Sequence, residues 1–237
     1  MRKILITNDD GIFAEGLIRL VKTAQKFGEV WVVAPDGQRS GASHSVHLHS
    51  PIEAWKVDFP VEGVTAYACN GMPADCVRIG VLNIIPGGPD VVFSGINFGY
   101  NLASDIQYSA TAGAAFEASF QGLQSFAFSE GIDGATDVTN RYLEEIIETL
   151  LVKPHGPNQI WNVNFPECEL KNCRGILWDR KVYMGVFYAD KYKETVLTED
   201  RSSFMVEGVR NWNADDGTDL GAILDNYVSV GLVTNIS

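Results

Sequence analysis

Long apolar runs are missing from this sequence: no stretch approaches the roughly 18 residues that crossing a bilayer requires. The run Ile4-Leu5-Ile6 is too short for the apolar region of a secretion signal. Both absences point to a cytoplasmic protein with no membrane partner. Positive charge is also scarce. Eighteen Lys and Arg stand against 30 Asp and Glu, a net charge of -12, which argues against a nucleic acid polymer as partner because a polyanion is repelled at long range. The four cysteines, Cys69, Cys76, Cys168 and Cys173, form no C-x-x-C pair, so structural thiols are expected rather than a zinc centre. There is no G-x-x-x-x-G-K-[ST], no G-x-G-x-x-G after a strand and no G-x-S-x-G. These absences argue against a P-loop NTPase, a dinucleotide enzyme and a nucleophile-elbow hydrolase.

What is present is an alternation of strands and helices over 237 residues, 46% of them hydrophobic, enough for one α/β domain spanning 1–237. Lys3 to Thr7 is a short apolar strand. Glu15 to Phe27 carries Leu17, Leu20, Val21, Ala24 and Phe27 at helical spacing before Gly28, and Glu29 to Ala34 is a nearly continuous apolar strand. Strand, helix and strand in this order make a βαβ unit and imply a mostly parallel sheet in a Rossmann-like, three-layer arrangement. Further strands are expected at Val64–Cys69, Asp90–Ser94, Ser125–Ser129 and Gln159–Phe165. Helices are expected from Pro73 to about Ile85, largely buried, and at Thr111–Gln121 and Val138–Val152. From about residue 176 the pattern turns to short alternating runs with Trp178, Tyr183, Phe187 and Tyr188, a C-terminal hairpin or arm extension beyond a core of about 1–175. Thr218–Tyr227 and Val228–Val233 then read as a helix and a strand.

In open parallel sheets, ligands bind beyond the carboxyl ends of the strands. Four polar segments follow predicted strands: Asn8-Asp9-Asp10, Asp36 to Ser40, Asn70-Gly71, and Asn97 to Asn101. Two adjacent carboxylates at a buried strand tip repel by about 4 kcal/mol at ~4 Å in an effective dielectric of ~20, and a hard divalent cation offsets that repulsion. Asp9 and Asp10 with neutral oxygens such as those of Ser40 and Asn97 would suit magnesium or manganese. Ser109-Ala110-Thr111 precedes a helix of small residues, where the helix N-terminus and two hydroxyls would hold an anion; plain N-capping is the alternative. His44 to His49 alternates as an extended segment would, placing His47 and His49 on one face, either as a transition-metal pair or as an exposed polar strand face.

Asn8-Asp9-Asp10-Gly11, Ala34-Pro35-Asp36 with Ser40-Gly41, Asn70-Gly71 with Pro73 to Val77, and Ser94-Gly95-Ile96-Asn97 with Gly99, Asn101 and Asp105 resemble, in order, the motifs of the survival protein SurE family. Asn162 to Pro166 and Tyr227 to Val230 extend the likeness. The resemblance implies a metal-dependent 5'/3'-nucleotidase with Asp9, Asp10, Ser40 and Asn97 as ligands of one divalent cation of the Mg, Mn or Co class. It assigns phosphate binding to Ser109, Ala110 and Thr111, where Ala110 replaces the family's glycine, with Asn97 and Asn101 beside the substrate. Family members dimerise through C-terminal elements, so a homodimer or homotetramer is expected, although the segment from about 190 to 211 lacks the family's usual runs.

The expected activity is hydrolysis of nucleoside 5'- and 3'-monophosphates, with Asp9 and Asp10 at the catalytic centre. Two other readings stand beside it. One is a receiver-type phospho-acceptor module, prompted by the acidic pair and by Asp58. The other is a nucleotide-binding protein that has lost turnover, prompted by Ala110.

Overall fold

Alternation along the first strand sets the layers. In the computed structural model, which describes residues 1–132 and 136–235, β1 (Lys3–Thr7) sends Ile4 and Ile6 into one core and Leu5 into another on the opposite face. Side chains of successive strand residues point to opposite faces, so a run of apolar residues must be covered twice. One cover is α1 (Glu15–Ala24), through Leu17, Leu20 and Val21, together with α4 (Asp137–Leu151), through Leu143, Ile146 and Ile147. The other is α2 (Pro73–Ile79) and α3 (Ala110–Phe120), through Cys76, Val77, Ala114 and Ala118.

Among the described residues the sheet between them has nine strands. β2 (Glu29–Pro35), β4 (Thr65–Cys69), β5 (Val91–Phe98), β6 (Gln124–Glu130) and β7 (Gln159–Phe165) join β1 in a six-stranded parallel block in the order β4-β2-β1-β5-β6-β7. Its centre is aromatic: Phe93 meets Phe126 and Phe128 edge-on, with centroids 5.0 and 5.8 Å apart, and all three are fully buried. Burial of each such side chain contributes about 1.5–3 kcal/mol. A short β3 (Ala54–Lys56) pairs antiparallel on the β4 edge. On the other edge β11 (Val228–Thr234) runs antiparallel to β7, and β8 (Ile176–Leu177) runs parallel to β11.

This ending differs from a core closing near residue 175. β8 and β11 complete the main sheet, and α5 (Asp219–Leu224) packs through Leu220 and Ile223 against Leu102 and Phe187. Among the described residues only β9 (Tyr188–Thr198) and β10 (Arg201–Arg210) stand apart, as a two-stranded antiparallel hairpin. Of the four aromatic residues that suggested hairpins, only Tyr188 lies in this one.

Other expectations shift locally. The helix from Pro73 ends at Ile79 and continues as a π-helical turn over Gly80–Ile84, leaving Leu82 67% exposed. Gly80 sits against Leu5 at the start of this turn, where a Cβ would stand 2.9 Å from that side chain. The fifth strand does not stop at Ser94. It runs on to Phe98, with a register shift between Ser94 and Asn97. His44 to His49 is no strand: His47 turns its Nδ1 to Asp75 (2.8 Å) while His49 is exposed, so the two do not form a ligand pair.

Candidate active site

From β1 the chain builds outward through β2 to β4, then returns to the other side of β1 with β5. The strand order therefore reverses between β1 and β5, the position where the helix layers part and leave a crevice beyond the strand ends. Thr7 pairs with Ser94 in register, so Asp9 and Asp10 just beyond the end of β1 and Asn97 near the end of β5 emerge on the same edge of the sheet. The emergence of Asn97 depends on Gly95. Its φ of +133° is open to glycine, and a Cβ there would lie 2.4 Å from the Phe128 carbonyl oxygen. The resulting bulge re-aims the residues that follow.

Each candidate side chain has a defined partner. Asp9 is buried and its Oδ1 accepts from the Thr111 hydroxyl at 2.6 Å. Asp10 accepts at Oδ2 from the Phe98 N–H at 3.2 Å. Asn97 donates from Nδ2 to the Gly99 carbonyl (2.7 Å) and to Asn101 Oδ1 (3.2 Å), which leaves its carbonyl oxygen as the atom available to a ligand. Ser40 is exposed, its Oγ accepting from Gln38. Ser109 is the N-cap of α3 and accepts from the Ala112 N–H at 3.0 Å.

Asp9, Ser40, Asn97, Asn101 and Ser109 line one cavity of about 500 Å³, with Tyr100, Tyr108 and Tyr188 among its other walls. Asp10 faces a neighbouring cavity of about 270 Å³ that also contains Arg19 and Glu130. Ala110 and Thr111 are fully buried and line neither. The hydroxyl of Thr111 is thus directed to Asp9. Asn101 is likewise engaged inside the protein: its N–H donates to Asn164 Oδ1, its Nδ2 to Ser129, and its carbonyl accepts from Asn162 and Asn164. It holds Asn97 in orientation.

Burial dominates the electrostatics of the acidic pair. Burial raises the Asp9 carboxyl to about 6; the Thr111 hydroxyl opposes that rise and the neighbouring Asp10 adds to it. Asp10 is also raised, by burial first, with the Phe98 N–H opposing and Glu130 reinforcing. Among the described residues no three His, Cys, Asp or Glu gather into a metal cluster, so a cation here needs neutral oxygens beside the two carboxylates. The donor set fits a hard divalent ion: carboxylate oxygens from Asp9 and Asp10, the Asn97 carbonyl left free by its own hydrogen bonds, and the Ser40 hydroxyl. The buried Asn8 Oδ1, which has no hydrogen-bond partner among the described residues, leaves one more unsatisfied acceptor next to the pair.

The model of the survival protein SurE family matches residues 4–184. The chain belongs to the SurE family. A 5'-nucleotidase SurE from Mesorhizobium japonicum is 39% identical over 238 residues, spanning 96% of this chain and 91% of that protein. One from Thermoanaerobacter pseudethanolicus is 34% identical over 237 residues, spanning 96% and 90%. The crystal structure of the SurE protein from Aquifex aeolicus superposes with a TM-score of 0.84 at 30% identity, over 99% of this chain and 94% of that one.

Within this SurE fold several residues at the cavity had no local sequence signal. Tyr188 and Asp190 reach it from β9, and Val206 and Gly208 from β10. The root of the hairpin is fixed by Asp105, whose Oδ2 accepts from the N–H groups of Phe187 (3.1 Å) and Tyr188 (2.9 Å). Glu130, paired with Arg19 and accepting from Thr139 at 2.7 Å, stands behind Asp10. The receiver-type alternative loses its acceptor. β3, which precedes Asp58, is antiparallel to β4 and pairs Lys56 with Tyr67 and Ala54 with Cys69, so its carboxyl end points to the sheet edge opposite Asp9.

Proposed function

We propose that the protein is a divalent-metal-dependent phosphomonoesterase that hydrolyses nucleoside 5'- and 3'-monophosphates to nucleoside and phosphate. The observation that carries this reading is the 2.6 Å hydrogen bond from Thr111 to Asp9. It ties the first turn of α3 to Asp9, so that an anion-attracting helix start and a cation-attracting carboxylate meet at the cavity that Asp9 and Ser109 line, with Asp10 bordering the neighbouring one. A phosphomonoester with its metal is a ligand that needs both.

Asp9 and Asp10 would hold the cation, with the Asn97 carbonyl and Ser40 hydroxyl completing the protein's share of the shell. When bound, a cation of the Mg, Mn or Co class supplies positive charge to the phosphoryl oxygens and favours ionisation of water at neutral pH. Ser109, held by its cap bond to Ala112, can donate its own hydroxyl hydrogen to a phosphate oxygen. Thr111 keeps Asp9 facing the crevice, and Asn101 does the same for Asn97. Tyr100, Tyr108 and Tyr188 would surround the nucleoside and exclude water.

The loss-of-turnover reading rests on alanine at position 110. Ala110 opens α3 with a negative φ and a buried side chain, so alanine fits the backbone there without strain and the reading has no structural support. We further propose a cytoplasmic homodimer or homotetramer assembled through the hairpin, where Tyr192, Val196, Phe204 and Met205 are 60–70% exposed. Nucleic acid polymers and membranes are not expected partners. The test is phosphate release from a panel of nucleoside 5'- and 3'-monophosphates with Mg, Mn or Co, and with a chelator. Turnover that survives complete chelation, or none with any nucleotide and metal, overturns the proposal; light scattering in solution decides the oligomer.

A further inference from the structure

Among the proposed metal ligands, Ser40 is the most exposed, and on its N-terminal side the chain is held by the Arg39 N–H, which donates to the Asp9 carbonyl at 2.7 Å. Ser40 lies between Gly37 and Gly41, and the latter has φ +71°. A donor on so permissive a stretch loses conformational freedom when it binds, which weakens binding unless something else fixes the chain. The residues that follow are fixed at several points. Ser43 donates its N–H to the Tyr108 carbonyl at 3.1 Å and its hydroxyl to that of Gln107, just ahead of the α3 N-cap. His44 Nε2 meets Glu117 Oε2 at 2.9 Å, and its ring stacks on Phe120 with centroids 5.5 Å apart and 18° between planes. His47 binds Asp75 of α2 through both its N–H and its ring.

Gly113 makes this crossing possible. A Cβ at that position would lie 2.5 Å from the Ser43 carbonyl oxygen, a distance real Cβ atoms do not reach, and 3.0 Å from the His44 Cα, so the backbone of residues 43–44 rests directly on the helix. Glu117 is suited to its part. Although burial alone would raise its carboxyl, bonds from His44 and Gln121 with help from Arg78 outweigh this and hold it below the usual range, so it stays ionised as an acceptor at neutral pH.

We infer that His44, Glu117 and Gly113 are positioning residues that fasten residues 41–49 as a strap across α3 and so hold Ser40 in the metal shell. This rests on the metal-dependent reading above. The strap joins the loop carrying Ser40 to the same helix whose start carries Ser109, so cation and phosphate groups are set by one rigid element. Removing a partner that orients a metal ligand typically lowers affinity 10–100-fold.

The test is Mn²⁺ binding to the full chain by titration calorimetry, with amide exchange of residues 41–49 measured in metal-free protein. His44→Ala and Gly113→Ala should each weaken Mn²⁺ binding by about tenfold or more and speed exchange in the strap. Alanine is the better helix former, so α3 itself is not weakened by the second change. Glu117→Gln, which keeps an oxygen to accept from His44, should stay close to the wild-type protein, whereas Glu117→Ala should behave as His44→Ala. Faster strap exchange with unchanged Mn²⁺ affinity in His44→Ala overturns the inference, and this variant decides alone if Gly113→Ala does not fold. A wild-type protein that binds no Mn²⁺, or an Asp9→Asn variant that binds it equally well, removes the metal reading itself and the strap's role with it.

Discussion

Replacing Asp9 by Asn should abolish turnover and at the same time stabilise the metal-free protein. The carboxyl rises from an ordinary value of 3.8 to about 6, so at neutral pH the folded chain holds an ionised group it would prefer protonated. At about 1.4 kcal/mol per tenfold change in proton affinity, this costs the metal-free fold about 3 kcal/mol. The sign follows from linkage. Below about pH 4 Asp9 is protonated in both the folded and unfolded states and the cost vanishes; it grows as pH rises, and is complete above about 6. Asn is the neutral counterpart and its Oδ1 can still accept from Thr111, so the variant escapes the cost. Its thermal midpoint in chelator at pH 8 should exceed the wild-type value by up to about 6–12 °C for a chain of this size, and the gain should disappear near pH 4. Saturating Mn²⁺ should raise the wild-type midpoint and leave the variant's unmoved. Scanning calorimetry at both pH values measures this. A variant no more stable than wild type at pH 8, or a gain of equal size at pH 4, would refute the account of Asp9 as a burdened carboxylate awaiting a cation.

Thr111→Val removes a hydroxyl donated to a buried carboxylate, a bond of the charged class worth about 1.5–3 kcal/mol; Mn²⁺ affinity and kcat/KM should each fall at least about tenfold while circular dichroism stays unchanged, and retained activity would show that Asp9 needs no such anchor. Ser109→Ala removes the N-cap of α3 and should lower stability by about 1 kcal/mol, with a larger loss in kcat/KM than in thermal midpoint. Ala110→Gly should destabilise, by about 1 kcal/mol from helix propensity, without raising turnover; a gain in phosphate release would revive the view that alanine there impairs the site. Arg210→Ala removes the ion pair to Glu167, whose N–H donates to the Tyr100 hydroxyl at 2.7 Å beside the cavity; faster proteolytic cutting in the hairpin and a raised KM with little change in kcat are expected, and unchanged proteolysis would place the hairpin's anchor elsewhere.

Local pattern was sufficient wherever a residue's environment is set by its near neighbours. The apolar runs of β1 and β2, the spacing of Leu17, Leu20 and Val21, and the stop at Gly28 each determine a local conformation, and βαβ handedness then determines neighbours in the sheet. The acidic pair was legible for the same reason, because two carboxylates at the tip of a buried strand cannot be neutral to one another. The π-helical turn after Ile79 was not legible. It begins where Gly80 meets Leu5, a residue 75 positions away. His47 was ambiguous because its alternation with His49 is compatible with a strand, whereas Asp75, its actual partner, lies on a different element. The contribution of β9 and β10 to the cavity was hidden too, since an exposed hairpin has the same alternation whether it points to solvent or folds beside a site.

The sequence by itself determined the α/β class, the order of the central strands and helices along the chain, and the placement of Asp9, Asp10, Ser40 and Asn97 in segments that follow strands and of Ser109 at a helix start. Those features depend on periodicity and turn chemistry, which act over a few residues. Tertiary structure alone decided that Thr111 serves Asp9, that Asn101 orients Asn97, that Asp10 borders a second cavity, and that the loop bearing Ser40 is tied to α3. The Thr111–Asp9 bond spans 102 positions of chain and the Ser129 bond that holds Asn101 spans 28, and only the closing of the sheet around the β1–β5 crevice brings those atoms within hydrogen-bond reach.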